Sequence, residues 1–228
     1  MDIKFLHFNQ SVVDNFSPYP AKKSPPDWFK KLPLIVSSVD KSIATAKNCI
    51  PLQDVVNAGY IIPNTYEVDL KTKKISAEDF AIEIHKPHPA NVGFHNYNQC
   101  PMHNDNGNID FFKLYLDWKI QTPPGYSCLF FDPFYREQRP YQILPAIVDT
   151  DDYDIPINFI GQLNTHNVTT IAPGEPIVQV IPFKRDEWKM TAEFVEKPKE
   201  GLLDFFNLTT SHPRRLYKTL IHKKKKFN

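Results

Sequence analysis

The chain has 228 residues, 41% hydrophobic and 23% charged, with a formal net charge of +1. That length buries a substantial core, and a charge so near zero gives no whole-molecule field to gather nucleic acid or an anionic membrane. Proline at 21 against glycine at 7, with 13% aromatics, weighs against long helices. Each proline lacks an N–H and clashes with the preceding turn, while aromatics suit pleated surfaces. Cys49, Cys100 and Cys128 are odd in number and widely spaced, without a CxxC, which opposes a disulfide framework or a cysteine zinc site. The first residues lack an apolar signal core, and no stretch approaches the ~18 apolar residues of a membrane span. The expected setting is a reducing cytoplasm with no membrane partner.

In chain order, Ile3 to Phe8 reads as an opening strand. The proline-rich stretch from Ser17 to Phe29 reads as an extended arm, with Trp28 and Phe29 anchoring it on the body. Lys47 to Gly59 reads as a helix, with Pro51 in its first turn and Gly59 at its stop. Strands follow at Tyr60–Pro63, Tyr66–Leu70 and Phe80–Ile84, then a long polar loop over His88–Asp110. Leu114, Leu116, Trp118 and Ile120 alternate with Lys113, Tyr115, Asp117 and Lys119, the period of a half-buried strand. A turn at Pro123-Pro124-Gly125 predicts a hairpin with the next strand, Tyr126–Phe131. Tyr141–Val148, Ile155–Phe159, Ile177–Phe183 and Trp188–Val195 complete the strand-like set. Closing helices are expected at Leu202–Leu208 and Arg214–His222. Strand-like segments at this spacing predict a mainly β (α+β overall) antiparallel sandwich or jelly-roll-like barrel. The expected organisation is a single domain over 1–228: a proline-rich arm at 1–35, a β-rich body at 36–198, and C-terminal helices with a lysine tail at 199–228.

One set of residues supports a family resemblance. It comprises Asn48-Cys49-Ile50-Pro51, Gly59-Tyr60-Ile61-Ile62-Pro63, Thr122-Pro123-Pro124-Gly125-Tyr126-Ser127, Val148-Asp149-Thr150-Asp151 and the run from Pro176 to Arg185. As a set they resemble an uncharacterised family encoded by tailed bacteriophages of the cyanophage type. The resemblance implies a phage origin, hence the host cytoplasm or the virion, and no particular activity. Over residues 122–183, Pro123 with Gly125, the stretch Asp149–Tyr153, and Pro173–Gln179 are similar to the β-fold of trimeric dUTPases and dCTP deaminases. That likeness implies a jelly-roll-like fold. It marks Asp149, Asp151, Tyr153 and Gln179 as candidates for nucleotide recognition and water activation. The sequence departs from that family in having no Arg-Ser-x-x-Gly motif between Tyr126 and Asp149 and no glycine-rich C-terminal arm. A triphosphate would therefore lack its cradle of backbone N–H groups.

Other constellations bear on chemistry. His103 and Asp105, with the distal His166, have the residue types of a two-His-one-carboxylate Fe(II) site. Arg185 would then hold a 2-oxoglutarate carboxylate; the alternative is that all are solvated surface groups. His85, His88 and His95 lack helical spacing and read as exposed or hydrogen-bonded histidines, with a metal site as the alternative if the loop folds back. The acidic run Asp149, Asp151, Asp152 and Asp154 reads as a turn, with Ca²⁺ or Mg²⁺ as its alternative. Cys128 reads as core. The run Lys223–Lys226 reads as a solvated tail, with a weak, salt-sensitive nucleic-acid contact as its alternative. Lys22, Lys23, Lys30 and Lys31 around Trp28 and Phe29 form a short aromatic-basic pattern of the single-strand-binding type. The first reading is therefore a non-enzymatic β-sandwich binding or assembly module that docks on a protein partner or on itself, without a cofactor. The alternative is an enzyme on the same scaffold, either an Fe(II)/2-oxoglutarate oxygenase, with Fe(II) or another divalent metal, or a dUTPase/dCTP deaminase-like nucleotide hydrolase.

Overall fold

The computed structural model describes residues 1–37, 42–85, 92–136, 139–196, 218 and 221–228. Its strands in chain order are β1 Lys4–Leu6, β2 Tyr19–Pro20, β3 Ile35–Ser37, β4 Ser42–Ala44, β5 Tyr60–Pro63, β6 Val68–Lys74, β7 Asp79–Ile84, β8 Val92–His95 and β9 Asn108–Ile109. They continue with β10 Phe111–Tyr115, β11 Lys119–Gln121, β12 Tyr126–Phe131, β13 Tyr141–Ile143, β14 Ala146–Val148, β15 Asn158–Leu163, β16 Thr169–Ile171 and β17 Pro176–Lys184. The helices are short: α1 Gln10–Phe16, α2 Asp27–Lys31 and α3 Ile50–Asn57.

The fold is mainly β. A five-stranded sheet runs β14-β12-β17-β5-β2, and two four-stranded sheets run β13-β15-β10-β8 and β16-β6-β7-β9. Two-stranded ribbons β1-β11 and β3-β4 complete it. Pairing is antiparallel except between β7 and β9. One apolar core draws Ile62, Leu70, Phe112, Phe130, Phe159 and Val180 from all three larger sheets. Face-to-face stacking of this kind is how a sandwich buries one side of each strand.

The alternation at Leu114, Leu116, Trp118 and Ile120 does place all four side chains inside. The backbone is nonetheless broken there, because Asp117 takes φ +55°. The segment becomes two strands serving different neighbours: β10 pairs with β15 and β8, while β11 pairs with β1. The predicted hairpin with Tyr126–Phe131 therefore does not form; β12 lies between β14 and β17. The polar stretch before Asp110 contains β8 and β9 rather than an uninterrupted loop. Tyr141–Val148 divides into β13 and β14, which belong to different sheets.

The helix expected near residue 50 is α3, and Gly59 follows it with φ +68°. In the proline arm Phe29 is buried, and the Trp28 indole N–H donates to the Tyr135 carbonyl at 2.8 Å. Two expectations about the C-terminal region fare differently. Residues 186–196, expected to contain a strand, take no regular secondary structure and join no sheet among the described residues. The closing helices and His88 lie outside the described residues, apart from Lys218, Ile221 and His222.

Candidate functional site

The first candidate lies where β12 and β17 meet the loop after β14. The turn at Gly125 and the end of β17 are joined by the Arg185 N–H, which donates to the Gly125 carbonyl at 2.8 Å. Arg185 thereby faces the acidic loop. Its Nη1 lies 2.8 Å from Asp151 Oδ1 and 3.3 Å from Asp149 Oδ1, and its Nη2 completes a forked pair with Asp151. The Gly125 N–H also donates to Asp151, at 2.8 Å, and Ser127 Oγ donates to Asp149 at 2.6 Å. Side-chain exposure is 6% for Asp151 and 66% for Asp149.

The hydrogen bonds from Arg185 lead the causes that hold the Asp151 carboxyl down at about 2. A forked guanidinium-carboxylate pair of this kind is geometrically specific. It fastens the loop to the sheet. Because the folded value lies below the unfolded one, this stabilisation is complete above about pH 4 and is lost as pH falls toward 2. Asp151→Asn should therefore show a flatter decline in urea midpoint than wild type between about pH 5 and about pH 2. Parallel declines would show that other carboxylates dominate.

The remaining sequence-derived candidates are dispersed. Tyr153 sits beyond the turn, its N–H bonded to the Asp149 carbonyl at 2.9 Å. Gln179 is buried on β17 and fully engaged: its amide donates to the Val55 and Ala58 carbonyls at 3.1 and 2.7 Å, and its oxygen accepts from the Phe134 N–H at 3.2 Å. It ties α3 and the segment after β12 to the sheet, away from the aspartates. Asp154 pairs with Lys119, so cations match much of the acidic run.

The proposed iron ligands do not converge either. His103 Nε2 meets Asp105 Oδ1 at 2.9 Å with side-chain exposures of 88% and 94%. His166 instead bonds Thr72 Oγ1 at 3.0 Å and lies tilted against the Phe80 ring at 4.2 Å. Among the described residues no three His, Cys, Asp or Glu side chains gather as a metal set. Arg185, assigned to a 2-oxoglutarate carboxylate, is occupied by the aspartates. Cys128 is core as expected, with burial pushing its thiol up to about 11.

Two clefts complete the candidates. The larger, about 710 Å³, lies between α3 and the C-terminal residues. There the lysine tail is exposed, as expected of a solvated tail, yet it makes contacts. His222 and Lys225 reach Asp54 at 3.0 and 2.6 Å, and Phe227 meets Tyr60 edge-on at 6.0 Å. Lys22 from the proline arm and Lys224 and Lys226 from the tail line the same cleft.

The second cleft, about 400 Å³, is walled by Pro26, Asp27 (paired with Lys30 at 3.1 Å) and Trp28 of the proline arm and by Tyr135, Arg136, Arg139 and Glu175. Behind it, Arg139 bridges Asp132 at 2.7 Å and Glu175 at 3.4 Å, and Tyr141 donates to Glu175 at 2.5 Å. Burial pushes the Asp132 carboxyl up, against the pull of Arg139. Trp28 stood out in the sequence. Arg136, Arg139 and Glu175 did not, because their meeting depends on loop geometry rather than spacing.

No family model and no curated protein matches the chain. Among solved structures, the native EIAV dUTPase is similar with a TM-score of 0.36 and 13% identity, over 72% of this chain and 94% of that one. A likeness of that size carries no argument about this chain's chemistry. The three arginines described after β12 divide sharply: Arg139 and Arg185 have carboxylate partners, and Arg136 has none within ion-pair reach among the described residues.

Proposed function

We propose that this chain is a non-enzymatic β-sandwich module that self-associates, the arm at 186–196 of one copy docking on a second copy. The observation that carries this reading is the exposure of the arm's apolar residues. Trp188, Met190, Phe194 and Val195 are 78–92% exposed. The first three alternate with Lys189, Thr191 and Glu193, the rhythm of a strand, and the segment joins no sheet among the described residues. Burying a large apolar side chain stabilises by about 1.5–3 kcal/mol, so an arm of this composition gains by finding a second surface.

The receiving surface we assign is the β3–β4 ribbon. Neither strand has a second neighbour among the described residues, and Leu34, Ile35, Val36 and Ile43 are exposed on it. A lone two-stranded ribbon is marginal in water, and a third strand stabilises it. Charge complements shape. The arm carries Asp186, Glu187, Glu193 and Glu196 against Lys189, while Lys30, Lys31 and Lys47 flank the ribbon. The resemblance to the tailed-phage family supplies the proposed setting, an accessory protein in the host cytoplasm or the virion.

Size-exclusion chromatography with light scattering tests this. At tens of micromolar the full chain should run as a dimer or larger species. Trp188→Ser with Phe194→Ser should be monomeric, with the thermal midpoint of wild type diluted to its monomeric range, since neither side chain packs in its own fold. A wild-type chain that stays monomeric across that range overturns the proposal.

A further inference from the structure

Arg136 is a half-buried cation with no carboxylate within ion-pair reach among the described residues. Its Nη2 donates to the Ser24 carbonyl at 2.6 Å and to Ser24 Oγ at 2.9 Å, and its Nε is buried without a hydrogen-bond partner. Burial pushes its pKa down and the neighbouring Arg139 adds to that, while Tyr19, Asp27 and Asp132 oppose it. A guanidinium does not shed its proton in a protein, so the charge stays and remains poorly solvated. Burying such a charge unpaired is unfavourable. The contrast with Arg139 and Arg185, each provided with carboxylates, shows that this fold does supply counter-ions elsewhere.

The walls around Arg136 are flat and held in place. Tyr135 takes φ +58°, the left-handed region, which a non-glycine residue adopts at a cost of about 1 kcal/mol or more. In that conformation its carbonyl holds the Trp28 indole N–H, and the two rings meet edge to face at 6.3 Å. Pro26 fixes the entry of α2 and so the position of Trp28. The volume of about 400 Å³ suits a small molecule.

We infer that this cleft binds a small oxyanion carried on a flat ring, a carboxylate or a phosphate monoester, with Arg136 as its counter-charge and Trp28 and Tyr135 as its aromatic walls. The oxyanion takes charge-assisted hydrogen bonds from the guanidinium. The ring packs against the aromatic pair. This site is independent of the 186–196 segment.

The test titrates the full chain with phenyl phosphate, benzoate and the neutral benzyl alcohol, following binding by calorimetry. Saturable binding is expected for at least one anion and not for benzyl alcohol, and the tighter anion identifies the oxyanion source. Arg136→Gln should weaken it about tenfold or more, while Lys71→Gln on β6 should leave it unchanged. The Trp188→Ser/Phe194→Ser chain should bind as wild type does, which separates this inference from self-association. Wild-type thermal midpoint should rise with the anion and not with benzyl alcohol, a readout that stands even where Arg136→Gln does not fold. No saturable anion binding by wild type, equal binding of the alcohol, or a folded Arg136→Gln chain that binds like wild type overturns the inference.

Discussion

Gly59→Ala is expected to destabilise the fold by about 2–5 kcal/mol, read as a fall in urea midpoint. Two penalties add. At φ +68° an added Cβ is sterically disfavoured by about 1–2 kcal/mol. It would also lie only 1.8 Å from the Val180 carbonyl oxygen and 2.8 Å from its carbon. That neighbour is the backbone of β17, which cannot swing aside like a side chain. Forcing atoms into a packed site typically costs about 1–3 kcal/mol. Gly59 is the joint of this region: it ends α3, starts β5 against β17, and its carbonyl accepts from the Ala21 N–H at 3.0 Å to dock the proline arm. Gly125→Ala is the control. Its φ is +83°, but a Cβ there meets nothing within 4 Å, so only the backbone penalty of about 1–2 kcal/mol applies. Equal losses at the two positions would show that the close approach to β17 does not matter.

Arg139→Leu is expected to be the next most damaging change, at about 2–3 kcal/mol. The side chain is 10% exposed, bridges Asp132 and Glu175, donates to the Pro176 carbonyl at 3.1 Å, and stacks over the Tyr141 ring at 4.2 Å. Removing it leaves two carboxylates without their cation. Breaking a fully buried pair costs about 3–5 kcal/mol; here the carboxylates keep 28% and 31% exposure, so water recovers part of that. The loss should shrink in acid. Burial already holds the Asp132 pKa above its ordinary value, and deleting Arg139 removes the charge that opposed this. A folded pKa raised above the unfolded one means that the native state gains relative stability as pH falls through it. The deficit of Arg139→Leu against wild type should therefore narrow from about pH 7 to about pH 4. A constant deficit would assign the loss to packing against Tyr141 instead.

Much of the architecture was legible one segment at a time. Side-chain alternation repeats every two residues along a strand. The buried faces at Leu114–Ile120 and at Phe130, and the strand β17, could therefore be read without knowing their neighbours. Gly59 as a helix stop and Phe29 as an anchor were legible for the same reason: helix termini and proline-fixed arms are set by short-range geometry. Resemblance singled out Asp149 and Asp151, but for nucleotide chemistry rather than for fastening a loop.

What tertiary structure alone decided was which segments meet. Alternation shows that Lys119–Gln121 has an inner face, yet not that it pairs with residues 4–6 rather than with Tyr126–Phe131. It marks Trp188–Phe194 as strand-like, yet not that the segment pairs with no strand among the described residues. Asp151 and Arg185 are separated by more than thirty positions in the chain, and Ser24 and Arg136 by over a hundred. Such encounters depend on sheet order and loop closure, which are properties of the whole folded chain. Local periodicity reports which side of a strand faces inward and carries no information about what lies opposite.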